Sequence, residues 1–295
     1  MIVTVTLNPA VDQTVRTDQP MEPDTVTRVE DAQFDPGGKG INVSKFLTEM
    51  GTETVATGVL GGFLGQFVIE GLAEAGIETQ FVDIEGCTRL NSTIHTPSGE
   101  YKLNQRGPAV ESADIGRLLD VVAALDPTTV VIAGSLPPGP DSGAIDRFAE
   151  VGPWETVVDV DGPLLSALSG AYELCKPNVP ELEAATGRDI DSVEDAIAAA
   201  RELQGQGFRN VLASLGPDGA VLVTPDDAIH DAAVDCEVVD TVGAGDALLS
   251  GYLAARAAGT DDERALHTGS LAAAAAVTTI GTTVTDLPDP AAVEH

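Results

Sequence analysis

Residues 238–257 read VVDTVGAGDALLSGYLAARA. The second half is a helix by pattern. The first half is a loop in which Gly243 and Gly245 bracket Ala244, with Asp246 directly after them. Such a start permits two accounts. Asp246 is a capping residue at a helix N-terminus. Alternatively, the bare backbone approaches an anion at the positive end of the helix and the carboxylate acts on what is bound.

Working outward, strands and helices alternate. MIVTVTL (1–7) reads as a buried first strand, GINVSKFLTEMG (40–51) as a helix with a glycine stop, and TVATGVLG (54–61) as a strand. FLGQFVIEGLAEAG (63–76) and DIGRLLDVVAAL (114–125) read as helices, and TTVVIAGSL (128–136), ETVVDVDG (155–162) and YELCKPN (172–178) as strands. VEDAIAAARELQGQG (193–207) is a helix before the strands NVLASLG (210–216) and AVLVTP (220–225), and LAAAAAV (271–277) belongs to a packed helix. This order predicts an α/β fold with a parallel sheet covered on both faces. Two stretches break the rhythm. Residues 12–36 show strand-like alternation, and residues 86–106 read as a hairpin turning at PSGE. They are expected to form a small β appendage to a single domain spanning 1–295. The alternative is that they are edge strands of the main sheet.

The chain has 295 residues, 43% of them hydrophobic and 4% aromatic, enough for a core built on Val, Leu, Ile and Ala. It carries 47 acidic residues against 15 basic ones, a formal net charge of −32. That field excludes binding to a nucleic-acid backbone. The carboxylates are spread along the chain, the pattern of an acidic surface solvated in strong salt. Lysine occurs only at 39, 45, 102 and 176. Lys39 and Lys176 lie in motifs, whereas Lys45 and Lys102 read as surface. Cys87, Cys175 and Cys236 are far apart and lack metal-site spacing, which fits reduced thiols in a cytoplasmic protein. The N-terminus lacks a basic and then apolar leader, so no signal peptide is expected, and no membrane span is expected either.

Five further motifs carry candidate chemistry. PGGKGINVSK (36–45) is a second glycine-rich loop entering a helix, with Gly38, Lys39 and Asn42 placed for an anionic or polyhydroxy ligand or, alternatively, for a tight turn. LNPAVDQT (7–14) puts Asp12 near the carboxyl end of the first strand, where open α/β sheets bind ligands. TRLN (88–91) and KLNQRGP (102–108) bring Arg89, matched to a phosphate or to a surface ion pair, with Arg106 the weaker candidate. In KPNVPELEAATG (176–187), Asn178 and Glu181 share one helix face. They suit Mg²⁺, or else a capping box. The phosphate loop GxxxxGK[ST] and an early GxGxxG are both absent, which removes a P-loop enzyme and a nicotinamide oxidoreductase.

The order of these motifs resembles the PfkB/ribokinase family of sugar kinases. The resemblance rests on TLNPAVD (6–12), GGKGIN (37–42), AGSLPPG (133–139), KPNVPEL (176–182), SLGPDGA (214–220) and DTVGAGD (240–246), and covers nearly the whole chain. TLNPAVD, GGKGIN and TRLN together are most similar to the 1-phosphofructokinase and tagatose-6-phosphate kinase branch. Where that branch commonly has a lysine after TRLN, this chain has Ser92, Thr93 and Ile94.

The resemblance implies a ribokinase-like three-layer α/β/α sandwich with a small β-sheet lid and a homodimer joined through the lids. It implies ATP and Mg²⁺, with K⁺ a further candidate, and a ketohexose monophosphate as acceptor. Fructose 1-phosphate is the first choice. Tagatose 6-phosphate kinase and 6-phosphofructokinase activities are the alternatives within the family, and a non-catalytic sugar-phosphate sensor is the alternative outside catalysis. Asp246 would be the base, with Gly243, Ala244 and Gly245 forming an anion hole. Asp12, Gly38, Lys39, Asn42, Arg89, Asn104 and Ser135 would bind the sugar phosphate, with Lys39 and Arg89 neutralising its charge. Lys176, Ser214, Gly216 and Gly219 would line the nucleotide site, and Asn178 and Glu181 would hold Mg²⁺.

Overall fold

A computed structural model describes residues 1–279 and 287–292. The chain begins with β1 (Ile2–Thr6), buried along its whole length, and passes straight into β2 (Ala10–Arg16). After residues 17–30 come β3 (Asp31–Gly37), α1 (Lys39–Glu49), β4 (Thr54–Leu60), α2 (Gly62–Glu74) and β5 (Glu78–Asp83). The hairpin of β6 (Arg89–Thr96) and β7 (Gly99–Asn104) leads to α3 (Ser112–Leu125), β8 (Thr129–Ala133) and α4 (Ser142–Val151). Next are β9 (Glu155–Asp159), α5 (Gly162–Ala167), β10 (Tyr172–Cys175), α6 (Val179–Thr186), α7 (Val193–Gln204) and β11 (Phe208–Ser214). The described chain continues with β12 (Ala220–Val223), β13 (Ala228–Asp231), α8 (Ala244–Ala257) and α9 (Asp262–Val277).

The main sheet runs β13-β12-β11-β10-β9-β8-β1-β4-β5. Side chains alternate across a strand, so a sheet buried on both faces feeds two cores. In β8, Val130 and Ile132 join one core, with Leu118 of α3, Phe148 of α4 and Leu182 of α6. Val131 and Ala133 join the other, with Phe46 of α1, Leu249 of α8 and Leu266 of α9. This is the expected three-layer α/β/α sandwich.

The sheet is parallel from β5 to β11, but β12 and β13 are antiparallel. The expectation of a wholly parallel sheet therefore fails at one edge. Only residues 215–219 join β11 to β12, too short a connection for a helical crossover, so the chain must turn back on itself.

The two irregular stretches form a second, four-stranded sheet of order β3-β2-β6-β7, rather than edges of the main one. The strand-like alternation read through residues 17–30 is not a strand. Pro20 and Pro23 lack the amide a ladder needs. Cross-strand register places Asp12, Asp35, Asn91 and Asn104 in one row on one face. The next row, Gln13, Phe34, Ser92 and Leu103, faces the other way. There Phe34 meets Phe67 of α2 edge-on, while Tyr101 and Leu103 stay largely exposed.

Candidate active site

Between the carboxyl ends of β1, β8, β10 and β11 and the polar face of the small sheet lies a cavity of about 1310 Å³. The residues that the sequence motifs single out line it, except Arg106, which lies outside it, and Glu181, which meets it through Lys39. A second cavity, of about 870 Å³, opens at the opposite ends of the strands, near Met1, Glu173 and Arg256. Ligands of open parallel sheets bind at the carboxyl ends, so the first cavity is the site.

Gly243 is the N-cap of α8, with φ +80°, a left-handed backbone that favours glycine. Asp246 sits in the first turn, but its side chain does not cap the helix. It is 6% exposed and accepts a hydrogen bond from Asn42 Nδ2 on α1 at 2.8 Å. Capping therefore does not explain this aspartate. Burial, and then repulsion from Asp159, push its carboxyl up to about 6, against the pull of Asn42, Lys39 and Lys176. The amides of a first helical turn have no acceptors within the helix, so this loop presents donors beside a buried carboxylate. Gly245 matters for a second reason. A Cβ there would stand 3.1 Å from Lys176 Nζ, so its absence lets the ammonium reach the loop.

Asp159, at the end of β9, escaped the sequence reading. It is fully buried and joins two lysines: Lys39 Nζ donates to Oδ1 at 2.7 Å, and Lys176 Nζ lies 3.2 Å from Oδ2. Burial alone would raise its pKa, but Lys176 and Lys39 outweigh that and hold it below the usual carboxylate range. For Lys39, burial would favour the neutral amine, yet Asp159 and Glu181 keep it charged. The rule that singled out Asp12, a carboxylate at the carboxyl end of a predicted strand, applies equally to Asp159 in ETVVDVDG.

The small sheet supplies the other end. Asn91 Nδ2 donates to Asp12 Oδ1 at 2.9 Å, and burial raises the Asp12 pKa. Arg89 is held by two backbone carbonyls, Asn8 O at 2.9 Å and Gln105 O at 3.3 Å, and its Nε is buried without a partner among the described residues. Asn8 in turn donates to Ser135 Oγ at 3.2 Å, tying β1's exit to the loop after β8. Lys39 is placed differently from the expected Lys39–Arg89 grip, because its partners are Asp159 and Glu181. Lys45, read as surface, is partly buried and donates to Pro36 O at 2.6 Å.

Asn178 and Glu181 form a capping box at the start of α6. Asn178 Oδ1 accepts from the Glu181 amide at 2.8 Å, and Glu181 Oε2 accepts from the Asn178 amide at 3.0 Å. The Asn178 oxygen is thus committed to the helix, while Glu181 Oε1 remains directed at Lys39, 3.5 Å away. Among the described residues no three His, Cys, Asp or Glu side chains converge as a ready metal site. Mg²⁺ commonly takes one or two carboxylates and fills its shell with phosphate oxygens and water. Asp159 and Glu181, meeting at one ammonium, fit that share.

The rest of the cavity mixes apolar residues with Asp235, Thr241 and Ser270. Val238, Ala273 and Val277 line the same cavity as Ser214, Gly216 and Gly219, and this apolar share suits a flat base better than a sugar. Among the described residues, no helix is long and apolar enough to cross a membrane.

The profile of the pfkB family of carbohydrate kinases matches residues 5–290. A 1-phosphofructokinase of Haloferax volcanii is 48% identical over 289 residues, covering 98% of this chain and 95% of that protein. A D-tagatose-1-phosphate kinase of Bacillus licheniformis is 35% identical, covering 92% and 91%. Phosphofructokinase-2 from Escherichia coli, in a complex with potassium, superposes with a TM-score of 0.90 at 30% identity, covering 98% of this chain and 96% of that one. Together with the buried Asp246 behind its glycine loop, these matches establish that the chain belongs to the pfkB family of carbohydrate kinases.

Proposed function

We propose that the enzyme transfers the γ-phosphoryl group of ATP to fructose 1-phosphate, giving fructose 1,6-bisphosphate and ADP. The observation that carries the chemistry is Asp246. It is a buried carboxylate whose pKa is pushed up to about 6, beside the helix-start amides of Gly245 and Asp246 itself. At neutral pH it is ionised, so it can accept the proton of the sugar hydroxyl as the oxygen attacks phosphorus. The amides of Gly245 and Asp246, with Lys176 and Lys39, stabilise the charge that gathers on the transferring group. Asp159 and Glu181 would hold Mg²⁺, which when bound neutralises phosphate charge. The choice of a ketohexose 1-phosphate is supported by the 48% identical Haloferax volcanii relative.

Arg89, fixed by two carbonyls, binds the substrate phosphate, while Asp12, Asn42 and Asn104 receive sugar hydroxyls. The apolar share of the cavity, with Val238 and Val277, takes the adenine. The small sheet acts as a lid over the sugar, and its exposed Tyr101 and Leu103 face supports a homodimer through the lids. Leu103→Asp should then convert a dimer to a monomer in light-scattering chromatography, and an unchanged mass would remove that interface. A net charge of −32 supports an enzyme working in molar salt, and three scattered cysteines without metal-site spacing support a cytoplasmic setting. K⁺ is tested by exchanging KCl for NaCl.

One second reading has specific support. The tagatose-1-phosphate kinase relative at 35% identity points to the C4 epimer of the same substrate class. The test is coupled ADP release in molar KCl with MgATP and a panel of fructose 1-phosphate, tagatose 1-phosphate, tagatose 6-phosphate, fructose 6-phosphate and fructose. Highest kcat/KM for fructose 1-phosphate is expected. Preference for tagatose 1-phosphate would select the second reading, and preference for a 6-phosphate would reverse the sugar in the site. ATP turnover on none of them would leave a sensor.

A further inference from the structure

Lys39 is the first residue of α1, after the N-cap Gly38. A cation there opposes the partial positive charge of the helix start, and α1 has no acidic residue in its first turn to offset it. Local sequence therefore does not explain the position of this ammonium. Two carboxylates from other elements do: Asp159 Oδ1 at 2.7 Å, from the end of β9, and Glu181 Oε1 at 3.5 Å, from the first turn of α6. These are also the two carboxylates that suit the protein's share of a Mg²⁺ shell. An ammonium and a divalent cation cannot both occupy the place between Asp159 Oδ1 and Glu181 Oε1, whereas Lys176 stays on the other oxygen of Asp159, Oδ2.

We propose that Lys39 is a resident counter-cation. It occupies the position between Asp159 and Glu181 and keeps a divalent metal off them until nucleotide phosphates give the ammonium new partners. Metal then enters with the nucleotide rather than before it. Lys176 cannot serve this purpose, since its side chain is 3% exposed and locked on Asp159. Lys39, 35% exposed on a flexible four-carbon stem, can swing towards an incoming phosphate. The inference rests on the kinase reading for the identity of the metal and for the nucleotide that releases the ammonium; exclusion of metal from the free protein does not depend on it.

The experiment titrates Mn²⁺, followed by electron paramagnetic resonance, into the nucleotide-free full-length protein in molar KCl. Wild type is compared with Lys39→Met and Lys39→Gln, and Lys102→Met controls for removing one positive charge elsewhere. Both Lys39 variants should bind one Mn²⁺ about tenfold or more tightly than wild type, a change of one decade in Kd being a modest ion-pair effect. Lys102→Met should match wild type. Adding Asp159→Asn to Lys39→Met should abolish the gain. In parallel, Mn²⁺ should raise the Tm of the Lys39 variants more than that of wild type. If Lys39→Met does not fold by circular dichroism, Lys39→Gln, which keeps a polar end, carries the comparison. Equal Mn²⁺ affinity in wild type and the Lys39 variants, or a gain that survives Asp159→Asn, would overturn the proposal. Failure of the kinase reading would show as absent ADP release and would leave this titration intact.

Discussion

At one end of the cavity, Asp159 is fully buried and held by Lys39 of α1 and Lys176 after β10, and Asp246 is nearly so and held by Asn42 of α1. At the other end, Asp12, Arg89 and Asn91 are only partly buried and Asn104 is exposed, all on a four-stranded sheet that the main cores do not include. The difference separates two demands. Reacting groups need a dry, fixed setting that shifts a pKa and amplifies charge. Recognition groups need access, because the substrate must enter before they are covered. Changes at the first end should therefore appear in kcat, and changes at the second in KM.

The largest expected effect is from Asp246→Asn. Asn42 can still approach the new amide, but the proton acceptor is gone, so kcat should fall by about 10²–10⁴-fold. ADP release at saturating substrates measures it. Arg89→Met comes next. Losing a charge-assisted phosphate contact of about 1.5–3 kcal/mol should raise KM for fructose 1-phosphate roughly 10–100-fold and leave KM for ATP within about twofold. A uniform rise in both would break the division between the two ends.

The pH dependence is third. Asp246 works ionised, and its carboxyl is pushed up to about 6, so kcat/KM should be flat above that value and fall about tenfold per pH unit below it. The same shift bears on stability. A folded pKa above that of an ordinary aspartate means that the folded state holds the proton more tightly than the unfolded chain. The resulting destabilisation is fully present above about 6 and fades as pH falls towards 4. Asp246→Asn should accordingly raise the Tm at pH 7, with the gain shrinking on acidification. A melting series across that window checks the sign. The smallest effect belongs to Asn178→Ala, which removes half of the α6 capping box. It should cost about 1 kcal/mol by urea unfolding and spare KM for the sugar.

The regular part of the molecule was legible because its signals are local. Buried runs such as TTVVIAG, the glycine stop after α1 and the glycines before α8 dictate strand, helix end and anion loop without tertiary context. Asp246 could be noticed but not decided, since a first-turn acid either caps or reacts. Only the 2.8 Å bond to Asn42, 204 positions away in sequence, separates the two. Asn178 and Glu181 show the opposite case, where the modest reading of a capping box is also present in the structure. The lysine partners of Asp159, though not its place at a strand end, and the burial of Lys45 were hidden for the same reason. What sets them is a partner on another element, Lys39 and Lys176 for the first and the Pro36 carbonyl for the second. The antiparallel turn at β12 was hidden in a loop length rather than in strand composition.

The most direct test of the two-ended account is a side-by-side measurement of Asp246→Asn and Arg89→Met with ATP and fructose 1-phosphate, each raised to saturation. The account predicts that high sugar phosphate restores Arg89→Met to within a few-fold of wild-type kcat, while Asp246→Asn stays down by about 10²-fold or more at any concentration. Recovery of Asp246→Asn to within about tenfold of wild type would contradict it, because a group whose loss substrate can repair is a binding group and not the base.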